Sequence, residues 1–391
     1  MVCSELIDRL GVYIHYPYCR RRCSYCDFAI AVKPVSRIDH QAYLDAIRKE
    51  LVIRGPVFIG PRLVSIYFGG GTPSLWPAEY LGQAVALVRN FFGPKQAGGE
   101  SSLEITIEAN PTDCTPHNLD AWAECGINRL SIGVQSTDDG ELVTLGRDHR
   151  MGDGLTALEA AINDGRFRIS ADIILGTPNS ASGGMETLTA VTQQSASNSG
   201  RRPGHLSVYE LTFETGAPLG RAAQRGELSP RDDDELAEIY ERTDAELSAR
   251  GYEHYEISSY ARPGERAIHN SLYWQGASYL GLGASAASFL PDGSGAAIRE
   301  TNVRSAARYL LTSGQETVAV REVISAAQVR ADNIWLGLRT REGIALAVVS
   351  ERPKFVAWLT EHQLATISNG RIQPTLKGFL YANQVAAHIS S

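Results

Sequence analysis

Short apolar runs alternate with amphipathic segments over residues 12–212. Runs rich in β-branched and aromatic residues predict strands, and apolar positions spaced by three and four residues predict helices. We expect the strands at residues 12–16, 63–68, 103–109, 129–134, 169–175 and 205–212, and the helices at 39–54, 77–92, 115–125, 138–164 and 184–199. Such alternation predicts an α/β fold with a parallel sheet of right-handed βαβ units.

The pattern changes after an acidic helix predicted at residues 231–250. The next 24 residues are rich in tyrosine, serine and histidine, and a small, glycine-rich run (YLGLGASAA) follows them. Further on, helices are expected at 333–344, 353–363 and 376–388 around a hairpin at 365–374. We therefore expect three parts, namely a domain at 1–250, a connecting segment at 251–301 and a mainly helical, winged-helix-like domain at 302–391.

Composition and charge narrow the class of protein. The chain has 391 residues, a formal net charge of −7 and a pI of about 5.8, which argues against a protein that binds nucleic acid by broad electrostatic attraction. No apolar run reaches the ~18 residues that span a bilayer, and the charged start MVCSELIDRL is unlike a signal peptide. We expect a cytoplasmic protein in which Cys3, Cys114 and Cys125 are packing residues.

Three of the six cysteines lie within the segment VYIHYPYCRRRCSYCDF. Cys19, Cys23 and Cys26 have the spacing C-x3-C-x2-C directly after the first predicted strand. Three thiolates this close together predict one metal centre. A four-iron cluster bound by only three cysteines keeps one iron open for another ligand.

The surroundings of this array leave two questions open. Zinc accepts mixed cysteine and histidine ligands, so His15 or His40 could complete a zinc site instead. The arginines at positions 20–22 place positive charge beside an anionic cluster, which favours its reduced form. A solvated loop explains these arginines equally well.

The cysteine spacing, with Tyr25 before the last cysteine, resembles that of the radical S-adenosylmethionine (SAM) superfamily. The resemblance implies a partial (β/α)6 barrel, a [4Fe-4S] cluster on the three cysteines and SAM on the open iron. Cleavage of SAM to a 5′-deoxyadenosyl radical would also require an electron donor. GGGTPS follows a predicted strand and resembles the segment that contacts the SAM amino group, which implies this role for Gly70, Gly71 and Thr72. A tight structural turn is the alternative.

Polar residues also lie in or just beyond several predicted strands, at the rim where α/β barrels build their sites. These residues are Glu108, Gln135, Arg147 and Asp172. As a set they suit a ligand that joins a nucleoside to an amino acid, because carboxylates accept from hydroxyl or ammonium groups and arginine pairs with a carboxylate. Internal salt bridges are the alternative for each. Tyr13 and Tyr25 are candidates to orient the ligand or the cluster, and a core role is an equal alternative for Tyr13.

Six longer motifs follow one another along the chain. They are VYIHYPYCRRRCSYCDF, FGGGTPS, EANP, RLSIGVQS, GYEHYEISSYA and HNSLYW. In this order they resemble the branch of the superfamily that contains the oxygen-independent coproporphyrinogen III oxidases and the HemW heme chaperones. The oxidases carry a fourth cysteine two residues after the third, where this chain has Phe28. The resemblance therefore favours the HemW family and places Phe28 beside the cofactor.

The last motif resembles the HNxxYW segment that is associated with heme binding in HemW proteins. It implies that His269 supplies an axial imidazole to heme, beside Tyr273 and Trp274. A core histidine with satisfied hydrogen bonds and two packing aromatics is the alternative. Many HemW chains carry a further histidine after the glycine-rich run, where this chain has Ala287, so the role of that histidine cannot be transferred.

The resemblance implies a heme chaperone that binds a [4Fe-4S] cluster, SAM and heme and delivers heme to hemoproteins such as respiratory cytochromes. Two enzyme alternatives stay open. One is oxidative decarboxylation of coproporphyrinogen III propionates, against which Phe28 counts, and the other is methylation by a radical SAM methylase that holds two SAM molecules. SAM turnover, peripheral membrane association and the choice between monomer and dimer also stay open, and no nucleic-acid partner is expected.

Overall fold

The computed structural model describes residues 8–93, 103–196, 200–312 and 314–390. Cys3 and residues 197–199 of the helix predicted at 184–199 lie outside the described residues. The strands are β1 (Arg9–Tyr16), β2 (Tyr18–Cys19), β3 (Ala31–Val32), β4 (Arg62–Gly70), β5 (Glu104–Ala109), β6 (Arg129–Gln135), β7 (Arg168–Leu175), β8 (His205–Glu210), β9 (Glu253–Glu256), β10 (Ser259–Ala261), β11 (Ser278–Leu282), β12 (Ala287–Pro291), β13 (Ala297–Asn302), β14 (Val318–Ile324), β15 (Ile344–Ala345), β16 (Ala365–Ser368) and β17 (Arg371–Pro374).

The α-helices connect and cover these strands. They are α1 (His40–Arg54), α2 (Ala78–Phe92), α3 (Pro116–Glu124), α4 (Asp139–Thr144), α5 (Met151–Asp164), α6 (Met185–Gln193), α7 (Pro218–Gln224), α8 (Asp233–Ala249), α9 (Ile268–Trp274), α10 (Ala306–Leu311), α11 (Ala326–Gly337), α12 (Pro353–Glu361), α13 (Leu376–Leu380) and α14 (Ala382–Ser390). Within the described ranges, none of them combines the length and the apolar character that crossing a membrane requires.

The main sheet confirms the predicted parallel βαβ arrangement. Strands β1, β4, β5, β6, β7 and β8 are neighbours in that order, and every neighbouring pair is parallel. Side chains alternate along each strand. On β1, Val12 and Ile14 are fully buried in the hydrophobic core, whereas Tyr13 and His15 point to the opposite face and contact each other. That inner face carries most of the polar residues singled out in the sequence.

Strands from beyond the six βα units extend the same sheet at both ends. β11 pairs in parallel with β1, and β12, β13 and β14 follow it in antiparallel order. At the other end, β10 and β9 continue the sheet from β8. The prediction that the chain is helical from residue 302 is therefore wrong at β14. Its charged sequence (VAVREVI) pairs with β13 at the sheet edge, where polar side chains face solvent.

The helix predicted at residues 138–164 is also wrong in one respect, because it is two helices, α4 and α5. The cysteine loop docks into the break between them. Ser24 donates its backbone N–H to the Leu145 carbonyl at 3.0 Å and its hydroxyl to the Thr144 carbonyl. Gly146, with a φ of +69°, ends α4 in the left-handed conformation, and Arg147 lies in the break beside the cysteines.

Two helix boundaries in the last part of the chain also differ from the predictions. The helix expected at 333–344 is α11, which begins earlier because Ser325 and Gln328 form a capping box, and which ends at Gly337. The helix expected at 376–388 is divided into α13 and α14. The hairpin predicted at 365–374 is confirmed as the antiparallel pair of β16 and β17.

The C-terminal helices enclose a hydrophobic core of their own. Its buried residues are Ile334, Leu338, Ile344, Val349, Phe355, Leu359, Leu364, Ala365, Ile372, Val385 and Ile389. Most of them come from α11, α12, α14 and the small sheet β15–β17–β16, and Leu338, Val349 and Leu364 lie in the connections. A small, mainly helical module therefore follows the barrel sheet, and its core begins in α11.

A buried ion pair joins α1 to the glycine-rich segment between β11 and β12. Arg54 donates to Glu50 at 2.6 Å, and both side chains are nearly inaccessible to solvent. Glu50 also accepts from the Gly283 N–H at 2.8 Å and the Tyr309 hydroxyl at 2.7 Å, while Arg54 reaches Glu300 at 2.9 Å. Removing one partner of such a pair leaves the other charge buried without compensation.

We predict that Glu50→Ala lowers the free energy of unfolding by about 3–5 kcal/mol. Arg54 then keeps only the Glu300 carboxylate, and the buried Gly283 N–H and Tyr309 hydroxyl lose their acceptor. Asp45→Ala is the matched control on the same helix. Asp45 pairs with Arg48 at 2.9 Å on the surface, and its loss is expected to cost less than about 1 kcal/mol. Urea denaturation followed by circular dichroism measures both variants, and equal losses would contradict the prediction.

Candidate functional site

The cysteine loop starts at the carboxyl end of β1 and is fastened on two sides. Within the loop, β2 pairs in parallel with β3. On the other side, Ser24 binds the break between α4 and α5. Cys19 is buried, and Cys23 and Cys26 are partly buried, with all three thiols free of disulfides. The fold therefore presents the three predicted metal ligands on one anchored loop.

Each of these sulfurs has a hydrogen-bond donor beside it. The donors are the Thr72 hydroxyl to Cys19 at 3.4 Å, the Arg147 guanidinium to Cys23 at 3.6 Å and the Phe28 backbone N–H to Cys26. Hydrogen bonds to a sulfur favour its charged form. The thiolate is the form that binds a metal, so these donors suit metal ligands.

The three cysteines also disfavour one another's ionisation. Burial, together with the nearby Cys23 and Cys26, raises the pKa of Cys19 to about 12, and burial raises the pKa of Cys26 as well. Three thiolates at close range need a positive centre between them, and binding such a centre releases their protons. The loop is suited to a cationic metal group rather than to three free thiolates.

The two histidines considered as zinc ligands are bound to protein groups instead. The His15 ring nitrogens lie 3.0 Å from the Tyr13 hydroxyl and 3.0 Å from the Ala29 carbonyl. His40 Nδ1 lies 3.2 Å from the Tyr16 hydroxyl. No three histidine, cysteine or acidic side chains among the described residues are arranged around a single ion. In a four-iron cluster each cysteine binds a different iron, so a cluster on this loop does not need either histidine as a ligand.

The glycine-rich segment after β4 lies directly against the cysteine loop. The Gly71 N–H donates to the Tyr16 carbonyl at 2.8 Å, and the Thr72 N–H donates to the Tyr18 carbonyl at 2.9 Å. These bonds continue the pairing of β1 with β4 beyond the ends of both strands. The segment is therefore held beside the cysteines by main-chain contacts.

Only glycine permits this approach. A Cβ atom on Gly71 would lie 3.0 Å from the Cys19 sulfur and closer still to the loop backbone. Gly70 has a φ of +112°, and its Cβ atom would lie 2.5 Å from the His15 ring. The structure thus brings Gly70 and Gly71 next to the cysteines, where the backbone is open to a ligand.

Glu108 lies next to the same segment at the end of β5. Its carboxylate accepts from the Gly70 N–H at 3.1 Å and from the Tyr67 hydroxyl at 2.9 Å. Burial, helped by the nearby Asp172, raises the pKa of Glu108 to about 7. Each carboxylate oxygen accepts more than one hydrogen bond, so Glu108 retains capacity for a ligand donor.

Gln135 at the end of β6 shows two unusual features. Its φ is 62°, in the left-handed region that side chains other than glycine seldom adopt. Its side-chain Oε1 is buried and has no hydrogen-bond partner among the described residues. A buried acceptor in this state is costly, and a hydroxyl or amino group of a ligand would satisfy it.

Arg147 is bound almost entirely by the protein. Besides Cys23, its guanidinium reaches Asn110 Oδ1 at 2.5 Å and the Gly133 carbonyl at 3.2 Å. Asn110 was not among the predicted site residues. Its place in the EANP motif, two residues after Glu108, could have indicated it.

Asp172 and Tyr13 lie on the inner face of the sheet, deeper than the cysteine loop. Ser131 donates to the Asp172 carboxylate at 2.9 Å, so serine hydroxyls satisfy this carboxylate rather than a salt bridge. Burial raises the pKa of Asp172. The Tyr13 ring stacks on Tyr67 at 6.1 Å between centroids. Both residues border the same interior as Glu108.

Tyr25 and Phe28 take different positions on the cysteine loop. Tyr25 packs against the small cluster that contains Leu145 and Ile174, and it interacts with Arg147. The Phe28 side chain is 66% exposed. Phe28 therefore reaches the metal site through its backbone N–H and not through its ring.

His269 is a buried residue of α9 with both ring nitrogens bonded. Nδ1 lies 2.8 Å from the Ser65 hydroxyl and Nε2 lies 2.9 Å from the Tyr273 hydroxyl. The ring stacks on Tyr67 at 5.0 Å, and burial lowers the pKa of His269 to about 3. In this arrangement His269 is a satisfied core histidine, and a heme iron reaches Nε2 only after the Tyr273 hydroxyl moves.

Comparison with known proteins agrees with this geometry. A model of the radical SAM superfamily matches residues 13–183. The chain is 33% identical over 380 residues to the heme chaperone HemW of Mycobacterium tuberculosis, and the match covers 96% of this chain and 93% of that protein. The chain belongs to the HemW family.

A second relative and a solved structure support the relation. This HemW-family chain is 35% identical over 347 residues to the mitochondrial radical S-adenosyl methionine domain-containing protein 1 of Bos taurus, covering 86% of this chain and 74% of that one. Coproporphyrinogen III oxidase (HemN) of Escherichia coli matches 100% of this chain and 92% of its own with a TM-score of 0.78. At 22% identity, that likeness shows a shared fold.

The radical SAM superfamily implies a [4Fe-4S] cluster and SAM, and residues of this HemW-family chain fit both. The anchored cysteines suit the cluster. The glycine segment, the Glu108 carboxylate and the unpaired Oε1 of Gln135 provide a cradle and acceptors for a polar ligand beside it.

We predict that Cys19→Ser abolishes cluster assembly, because a hydroxyl does not replace a buried thiolate as an iron ligand. Iron and sulfide analysis after anaerobic reconstitution measures the effect. Cys125→Ser is the control, since Cys125 lies outside the loop at the end of α3, where its thiol donates to the Ala78 carbonyl. This variant is expected to retain full iron content. A normal iron and sulfide content in Cys19→Ser would refute the assignment.

Proposed function

We propose that this HemW-family protein is a heme chaperone. It holds a [4Fe-4S] cluster on Cys19, Cys23 and Cys26 with SAM on the open iron, and it binds heme and passes it to hemoproteins. The main support is the 33% identity to the heme chaperone HemW of Mycobacterium tuberculosis along nearly the whole chain. We place its action in the cytoplasm, with respiratory cytochromes among its recipients.

SAM is assigned to the cradle between the glycine segment and the end of β6. Gly70, Gly71 and Thr72 would face its amino acid part, Glu108 would accept from its amino group, and Gln135 would accept from a hydroxyl or amino group through Oε1. When bound, the cluster and SAM together supply one-electron reductive chemistry. These protein groups would bind and orient the ligand.

Arg147 and Asp172 are assigned supporting roles. The Arg147 guanidinium is fixed by Asn110 and Gly133 and lies 3.6 Å from the Cys23 sulfur. A fixed positive charge beside a cluster stabilises its reduced, more negative form. Asp172 is bound by serine hydroxyls and adds negative charge near Glu108. Either residue can still contact SAM at its outer edge.

The oxidase alternative rests on fold alone. The likeness to coproporphyrinogen III oxidase is at 22% identity, and Phe28 stands where the oxidases carry a fourth cysteine. No observation favours the methylase alternative. Heme transfer therefore remains the function that the family relation supports best.

We predict that SAM binds more tightly as the pH rises from about 6 to about 7.5. Glu108 has a raised pKa of about 7, so it is largely protonated at the lower pH and ionised at the higher one. For the same reason, its contribution to folding stability falls as pH rises from the ordinary carboxyl pKa through about 7, because the folded state binds the extra proton. The ammonium group of bound SAM would favour the ionised form of Glu108 and so offset this loss of stability.

Isothermal titration of the cluster-loaded protein with SAM tests this prediction. Glu108→Gln is expected to weaken binding about tenfold or more, as for a lost charge-assisted hydrogen bond, and to flatten the pH dependence. Glu124→Gln, at an exposed position at the end of α3, is the control and should behave as the unaltered chain. An unchanged affinity and pH profile in Glu108→Gln would remove Glu108 from the SAM site.

For heme, we predict near-stoichiometric binding in an anaerobic titration of the cluster-loaded protein, followed by transfer to an apo-hemoprotein. His269→Ala tests the proposed ligand, and His205→Ala is its matched control, because His205 is likewise buried between two hydroxyl groups. If His269 binds the iron, only His269→Ala weakens heme binding. Tyr273→Phe frees Nε2 and should then bind heme at least as tightly.

The results of these heme titrations test the chaperone function and the assignment of His269 as the iron ligand separately. Tight heme binding that both histidine variants retain keeps the chaperone function and discards His269 as the ligand. Loss of heme binding in Tyr273→Phe alone would assign the iron to the tyrosine. Absence of specific heme binding in the unaltered protein would overturn the proposed function.

A further inference from the structure

A cavity opens at the end of the barrel opposite to the cysteine loop. It has a volume of about 510 Å³ and is bordered by Ile169 at the start of β7 and Gly204 just before β8. The strands β1, β7 and β8 all run in the same direction. The amino ends of β7 and β8 therefore lie at the rim away from the carboxyl end of β1, and the cavity is separate from the cofactor site.

Four arginines line this cavity in a protein whose net charge is −7. They are Arg201, Arg202, Arg250 and Arg262. The carboxylate in the lining, Glu265, is held by Arg168 at 2.9 Å, and Arg250 pairs with Glu246 at 2.9 Å. The cavity consequently carries an excess of positive charge.

Arg262 is fixed in place and has a buried donor without a described partner. Its Nη2 donates to the Arg250 carbonyl at 3.1 Å, and its guanidinium lies over the Tyr252 ring, 4.5 Å from the centroid. Its Nε is buried and has no hydrogen-bond partner among the described residues. A buried donor without a partner is unfavourable, and an anion in the cavity would supply the acceptor.

Arg202 provides a second available guanidinium. It is exposed, and within the described ranges of the chain it forms no hydrogen bond or ion pair. The charges of Arg202 and Arg262 both act on Tyr252. Burial raises the pKa of Tyr252, and the charges of Arg262 and Arg202 both oppose this rise.

We propose that this arginine cavity binds a small ligand that carries two or more phosphate groups. The planar arginine fork matches the oxygen atoms of a phosphate and forms paired hydrogen bonds with them. The volume lies within the range of small-molecule sites. A diphosphate has enough oxygen atoms to accept from the guanidinium groups of both Arg202 and Arg262, which line the same cavity. Inorganic pyrophosphate and a nucleoside diphosphate share this chemistry.

Isothermal titration calorimetry of the cluster-loaded 391-residue chain, at constant ionic strength, tests the proposal with pyrophosphate and with ADP as probes. We expect saturable binding of one molecule per chain. Arg202→Gln should weaken it about tenfold without changing the unfolding temperature, because Arg202 makes no described contact that the fold needs. Tighter binding of ADP than of pyrophosphate would identify a nucleotide, and equal affinities would identify the phosphate groups as the whole ligand.

Two further variants complete the test, one in the cavity and one outside it. Arg262→Lys retains the charge but loses the fork, and it should also weaken binding. Arg225→Gln is the control, because Arg225 is exposed, pairs with Glu227 and is not part of the lining, so binding should be unchanged. Absence of saturable binding to either probe would overturn the proposal. Equal weakening in Arg202→Gln and Arg225→Gln, or full affinity in both cavity variants, would overturn it as well.

Discussion

The pairing of β1 with β4 is the constraint on which the cofactor site depends. Its hydrogen bonds continue past the strand ends, from Gly71 to Tyr16 and from Thr72 to Tyr18, and so bring the glycine segment against the cysteine loop. A side chain at position 71 would prevent this contact. The register of this pairing therefore positions both the cysteine loop and the glycine segment. A shift in the register would separate them.

A second anchor turns this pairing into a closed site. Ser24 of the cysteine loop binds the carbonyls that end α4, and the loop that follows carries Arg147 to Cys23. The interrupted helix is thus the feature that positions the arginine. The cysteine loop is held between β4 on one side and the break between α4 and α5 on the other.

The sequence was sufficient for the parts of the fold that rest on local pattern. The six parallel strands are apolar runs between turn residues, and the cysteines are recognisable from their spacing. The strands β11 to β14 were not predicted as an extension of the sheet, because they are short, polar or glycine-rich. β11, which joins them to the sheet, pairs with a strand more than 260 residues earlier. The contact of Arg147 with Cys23 was not predicted either, because it depends on the docking of Ser24 at the break between α4 and α5. The break itself has a local signal in Gly146, which ends α4 with a φ of +69°.

The polar residues of the inner face separate into two classes that only the structure distinguishes. Arg147, Asp172 and His269 have their hydrogen-bonding groups occupied by protein partners, so they form a rigid frame. Gln135 has a buried oxygen with no partner in the described part of the chain, and Glu108 retains acceptor capacity next to an open backbone. Buried polar groups are normally paired, so the unpaired ones mark the surface where a ligand completes the hydrogen bonding. By this argument the ligand contacts lie between Glu108 and Gln135, and the charged residues around them fix its position from behind.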